Sequence, residues 1–165
     1  MTPIAMKDSK FAGYASLLLR IGLGAGFLSA VADRFGLWGA FGKRNVEWGN
    51  FSRFVEYTHT LNWYVPARLI PPLAVIATCA ESVFGLLLLV GWHTRTAALL
   101  AGFLLLTFAA AMTLSLGIKA PLNYAVLTGM GGALLLASRE SFPFSVDELL
   151  SRGPIPRFAE PSHKG

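Results

Sequence analysis

Residues 69–92 read LIPPLAVIATCAESVFGLLLLVGW, a run with a single charge, Glu81. A helix rises 1.5 Å per residue, so about 20 apolar residues cross the hydrocarbon core of a bilayer. This stretch is long enough. Pro71 and Pro72 fall where a first turn would lie, and there a missing N–H costs little. The same pattern recurs from Phe11 to Ala32 and from Thr96 to Ile118, and a shorter version runs from Ala120 to Ala137. Four blocks of this kind predict an all-α integral membrane four-helix bundle.

Composition agrees with that reading. Of the 165 residues, 54% are hydrophobic and 14% charged, against about 25% charged in soluble domains. Mean hydropathy is +0.55. The net charge of +5 raises the question of nucleic acid, but the basic residues sit between and after the apolar blocks and form no stripe on one face. Nucleic acid is therefore excluded as a partner, and anionic lipid headgroups are the natural use of these cations. A lone cysteine, Cys79, leaves no internal disulfide and no CxxC pair. His59, His93 and His163 fall on different connections or in the tail, so the sequence offers no metal or haem site.

The connections order the bundle. Gly91 to Arg95 and Gly117 to Pro121 are tight, which makes consecutive helices antiparallel neighbours. The long connection, residues 33–68, carries Phe51, Phe54, Val55, Thr58, Leu61 and Val65 at helical spacing. That predicts an interfacial amphipathic helix between spans one and two. Trp38, Trp48, Tyr57, Trp63 and Tyr64 crowd the same stretch, as headgroup-level aromatics do. The first block is longer than a signal peptide's apolar region and contains Arg20, so it is expected to stay in the mature protein. Residues 139–165 read as a polar tail, with one surface turn capped by Ser145. Basic flanking residues place both termini on the cytoplasmic side of a bacterial or archaeal inner membrane, in a multi-pass arrangement.

Charges within membrane spans are costly, about 2.5–3.5 kcal/mol each on insertion scales, and so point to a purpose. Arg20 and Glu81 lie near the middles of the first two blocks, and antiparallel packing would bring those midpoints to one depth. The expectation is a buried Arg20–Glu81 ion pair, either structural or forming the polar end of a ligand site. A secondary polar site is expected at headgroup level from Asn123, Tyr124, Trp63 or Tyr64, and Lys119, on the membrane face that also carries Asp33 and Arg34. Gly22 and Gly26, like Ala125, Gly129, Ala133 and Ala137, are spaced for close helix approach. No nucleophile–base constellation, phosphate loop or metal cluster is visible.

Leu18-Leu19-Arg20-Ile21-Gly22 running to Phe27, Glu81-x-x-x-Gly85, Leu89-Val90-Gly91-Trp92-His93-Thr94-Arg95 and Pro121-Leu122-Asn123-Tyr124 together resemble the DoxX family of small membrane proteins. That resemblance implies a four-helix bundle associated with redox or oxidative-stress systems. It favours an accessory subunit that binds a lipid-soluble molecule or a redox partner protein, with quinone as the cofactor class to consider. A quinone-linked oxidoreductase subunit and a small-solute or proton transporter are the alternatives. A homo-oligomer would suit four short-looped helices better if transport were the task.

Overall fold

The computed structural model describes residues 10–151. Lys7, His163 and the part of the expected tail beyond Ser151 lie outside these residues. Within them the protein is an all-helical membrane bundle. Its elements are α1 (Lys10–Arg34), α2 (Phe51–Leu61), a 3-10 turn (Ala67–Leu69), α3 (Ile70–Val90), α4 (Thr94–Leu116), α5 (Lys119–Asn123), α6 (Val126–Ala137) and α7 (Val146–Ser151). Three segments are long and apolar enough to cross a membrane: Lys10–Arg34, Ala67–Val90 and Thr94–Leu116.

The fourth block departs from expectation. It is not one continuous helix from 120 to 137, because the chain breaks at Tyr124 and Ala125 into α5 and α6. Ala125 holds a left-handed backbone, φ +54, which costs an L-residue roughly 1–2 kcal/mol. No glycine or proline stands at the break to announce it, and the strain is held by the packing on either side.

Small residues set how the helices approach. The main pairings are α4 with α6 and α1 with α3. On α4, Ala97, Ala98, Ala101 and Gly102 are buried, and they meet Ala133, Leu136 and Ala137 of α6. Between α1 and α3 the crossing is at Gly24 and Gly85: a Cβ on Gly24 would sit 2.8 Å from the Gly85 carbonyl. Gly22 and Gly26, the pair expected to do this, have open space where a Cβ would stand. They face outward.

α2 forms where the apolar spacing placed it. Asn50 caps it, its side chain accepting from the Arg53 N–H at 3.0 Å, a common N-terminal device. Phe54 and Thr58 are its buried face.

At the opposite end the chain folds back onto the α3–α4 turn. Arg20 is fully buried, and its guanidinium donates to four carbonyls: Leu88 at 3.1 Å, Pro143 at 3.2 Å, Phe144 at 3.3 Å and Leu89 at 3.4 Å. Leu88 and Leu89 lie in the last turn of α3, whose carbonyls have no partner within the helix, and a cation is favoured there. Gly91 ends α3 at φ +74; a Cβ at this position would collide with the Arg20 guanidinium and with Ser145. Asp147 then caps α4 from far along the chain, accepting from the N–H groups of His93 at 2.8 Å and Thr94 at 2.7 Å. Ser145 caps α7 through the Glu148 N–H at 3.0 Å.

Two outcomes test this end of the molecule. Arg20→Met removes the fork that gathers four carbonyls and should cost at least about 3 kcal/mol, since even one bond to a charged donor is worth roughly 1.5–3 kcal/mol; thermal unfolding in detergent measures it. An Arg20→Lys midpoint equal to that of the parent would show that charge suffices and that the planar fork is not needed. For Asp147, burial pushes the carboxyl up, but the bonds from Thr94 and His93 outweigh it and hold the carboxyl below its ordinary range. A depressed carboxylate stabilises fully above its unfolded value, near 4, and that contribution is lost as pH falls through the lower folded value. Acid unfolding below about pH 4 should therefore lose part of its pH dependence in Asp147→Asn.

Candidate functional site

Arg34 is the last residue of α1, two positions beyond the end of the apolar block. Its side chain turns back into the bundle and is 2% exposed. There it pairs with Glu81 of α3, itself 3% exposed, and donates to the Thr78 hydroxyl at 2.9 Å. Thr78 in turn donates to the Ala74 carbonyl at 2.8 Å. Thr78 and Glu81 stand three residues apart and so share one face of α3.

The expected partner of Glu81 was Arg20, and the structure does not bring these two together. The Gly24–Gly85 crossing sets the register of α1 against α3. In an antiparallel pair with that register, the residue opposite Glu81 is near Leu28. Arg20 is thus about eight residues away along the axis, or roughly 12 Å. Matching the midpoints of the two blocks misplaced it.

The loop after α1 closes over Arg34. Asp33 accepts from the backbone N–H groups of Glu47 at 2.9 Å and Trp48 at 3.0 Å. That holds Trp48 with its ring centroid 5.3 Å from the Arg34 guanidinium carbon, while Phe54 of α2 lies at 3.6 Å. Cations above aromatic faces at such distances are attracted, more so when water is excluded. Trp48 also meets Phe54 edge-on at 5.2 Å. One carboxylate, one threonine and two rings therefore surround a single guanidinium.

Beside the pair lies a cavity of about 760 Å³, within the usual range for small-molecule sites. Arg34 and Glu81 form its charged inner end. α3 contributes Leu73, Ile76 and Ala77, and α4 contributes Leu104, Phe108, Ala111 and Met112. α2 supplies Phe54, Tyr57 and Leu61, and the helix break supplies Tyr124 and Val126. Burial first, then Tyr124 and Glu47 nearby, push the Tyr57 phenol above its ordinary range, so it remains a hydrogen-bond donor at neutral pH.

Of the expected secondary site, Tyr124 lines this cavity and Asn123, Trp63 and Lys119 do not. The latter three are exposed, and Trp63 packs edge-on against Tyr64 at 5.8 Å. Asp33 and Arg34 were expected at headgroup level beside Asn123, not as partners of Glu81 and the loop; the residues that sequence reasoning missed are Thr78, Trp48 and Phe54. One signal was available: Thr78 and Glu81 mark a polar face on α3, and Asp33-Arg34 directly follows an apolar block with no stop signal before it.

Residues 12–123 match the family described as methylamine utilisation protein MauE. The chain belongs to the MauE family. This overturns the resemblance to DoxX. The motifs behind that resemblance are glycines within apolar helices, a charged residue in each of two spans and a turn after the second. Any small, tightly packed membrane bundle needs such features, so they do not distinguish one family from another. No curated protein and no solved structure matches the chain significantly.

The pair makes a clear prediction. Glu81→Gln leaves Arg34 buried without its counter-charge and should cost about 3–5 kcal/mol, read as a lower unfolding midpoint in detergent. The Arg34→Met/Glu81→Leu double variant should recover most of that loss, because neither charge then remains. Arg20→Gln and Glu81→Gln should simply add. Strong coupling between those two would contradict the register described above.

Proposed function

We propose that this MauE-family protein is an accessory membrane subunit of a redox system and holds a lipid-soluble molecule in the cavity beside Arg34 and Glu81. One observation carries the reading: the cavity is walled by apolar side chains of three helices yet ends on a buried ion pair. An apolar cavity with a few convergent polar groups is the usual form of a small-molecule site. Ionisable groups inside a membrane bundle face a cavity or one another, and they mark ligand or ion pathways. Here they do both.

The redox setting rests on chemistry and on the family description. Using methylamine means oxidising its carbon, and the electrons must pass to a partner; a subunit in the same membrane has access to lipid-soluble molecules. Arg34–Glu81 takes the place of Arg20–Glu81 as the polar end of the site. An inner-membrane location with both termini cytoplasmic belongs to the same proposal. It puts the cavity nearer the outer face, since α2 lies at the end of the bundle away from Lys10.

The test is retention of lipid. Protein purified in mild detergent should carry a small molecule that organic extraction and mass spectrometry detect. Ala77→Phe places a ring in the cavity and should lower that retention at least several-fold, with an unfolding midpoint equal to or above that of the parent. Equal retention by both proteins would count against the cavity as the site.

A further inference from the structure

The charges around the cavity say what kind of head group it accepts. Two arginines, Arg34 and Arg53, line it against three glutamates, Glu47, Glu56 and Glu81. An anionic head reaching the inner end would meet the Glu81 carboxylate in a wall with no excess of positive charge. Like charges brought together where water is scarce repel strongly.

A cationic head fares no better at the inner end. The aromatic faces that touch the ion pair, which would otherwise hold an ammonium there, already carry a guanidinium. Arg34 covers Phe54 and Trp48, and Arg53 lies 3.7 Å from the centre of the Phe41 ring. An ammonium entering deeply would face Arg34 itself.

An uncharged head with oxygen atoms is not repelled by either partner. It can donate a hydroxyl to the Glu81 carboxylate or accept through a carbonyl. The Nε–H of Arg34 is buried and has no acceptor among the described residues, so the pair retains bonding capacity. Tyr57, on the same cavity, offers a further hydroxyl donor. Tyr57, Phe108 and Tyr124 give ring surface on three different elements, and flat rings stack favourably in offset or edge-on arrangements. The apolar remainder of the wall suits an alkyl or isoprenoid chain.

Building on the cavity reading above, we infer that the ligand is a neutral lipid whose head is a planar, oxygen-bearing ring of the quinone or quinol class. Arg34 and Glu81 bind the ring oxygens, and the apolar walls of α3 and α4 take the tail. The inference concerns binding and orientation of the head.

Four probes of similar chain length separate the chemistries: a decyl-substituted benzoquinol, dodecanol, lauric acid and dodecylamine. Full-length protein in mild detergent is incubated with each at equal concentration, and bound probe is counted by native mass spectrometry alongside the unfolding midpoint. The benzoquinol should be retained one per protein and raise the midpoint by a few degrees. The other three should reach less than a tenth of that occupancy. Ala77→Phe should reduce benzoquinol retention at least several-fold, and Tyr57→Phe should weaken it by a few-fold without altering the midpoint of the ligand-free protein. Equal or better retention of laurate or dodecylamine overturns the neutral head, and equal retention of dodecanol overturns the ring; in each case the cavity reading stands. Retention of none of the four, or retention that Ala77→Phe leaves unchanged, counts against the cavity itself.

Discussion

A guanidinium and a carboxylate held away from water must satisfy each other and be satisfied further, and much of this protein is arranged around that requirement at Arg34 and Glu81. α1 runs past its apolar block so that its last residue can turn back into the bundle. Asp33 ties down the loop at Glu47 and Trp48, which carries Trp48 over the guanidinium. Asn50 starts α2 at the point that lets Phe54 cover the guanidinium at close range. Thr78 takes one further donor of Arg34 and passes the bond on to the α3 backbone. The loop after α1 and the start of α2 thus converge on one guanidinium.

A pair of this kind is seldom the most stable way to fill a core. Replacing a buried ion pair with apolar side chains of similar volume is often neutral or stabilising, while breaking it singly is costly. Its presence beside a cavity is therefore better explained by what the cavity needs than by stability. Packing points the same way. The Arg20 end is closed: alanines and a glycine on α4 let α6 approach closely, and a strap from Phe142 to Asp147 covers the α3–α4 turn. The Arg34 end is open, because α6 is only twelve residues long, about 18 Å at 1.5 Å each. The break at Tyr124 and Ala125 thus leaves room where a straight fourth helix would have packed.

The helical membrane architecture was legible in the sequence because it depends on local quantities: run length, apolar fraction, proline at a first turn, the period of Phe54 and Thr58 on α2. The turn capped by Ser145 was legible for the same reason. Partner choice was not, because it depends on register, and register is set where two backbones touch. Gly22, Gly24 and Gly26 are equivalent by spacing; only the contact with Gly85 singles out Gly24, and that contact moves Glu81 from Arg20 to Arg34. The break in the fourth block was hidden because Ala125 is an unremarkable residue in a left-handed conformation. Tyr124 was identified as part of a polar site, but the cavity it lines is shared with residues of α2 and α4, elements whose relative placement no short-range pattern encodes.

The stretch matched by the family takes in the two arginine centres to different extents. Residues 12–123 include every charged side chain that lines the cavity, together with the whole of α2 and the polar face of α3. They include Arg20 as well, but only half of its acceptors, since Pro143 and Phe144 lie beyond the match. α6 and the strap are likewise outside it. The cavity's charged end is thus complete within the matched stretch, whereas the Arg20 centre is completed only by the segment that follows. Both arginines are buried, yet Arg20 contacts backbone carbonyls that are present in any helix end, and Arg34 contacts a carboxylate that lines a cavity. A guanidinium bound to carbonyls holds chain segments together. One that shares a carboxylate lining a cavity lies where a ligand in that cavity would meet it, and that difference in partners favours Arg34 over Arg20 as the polar end of the proposed site.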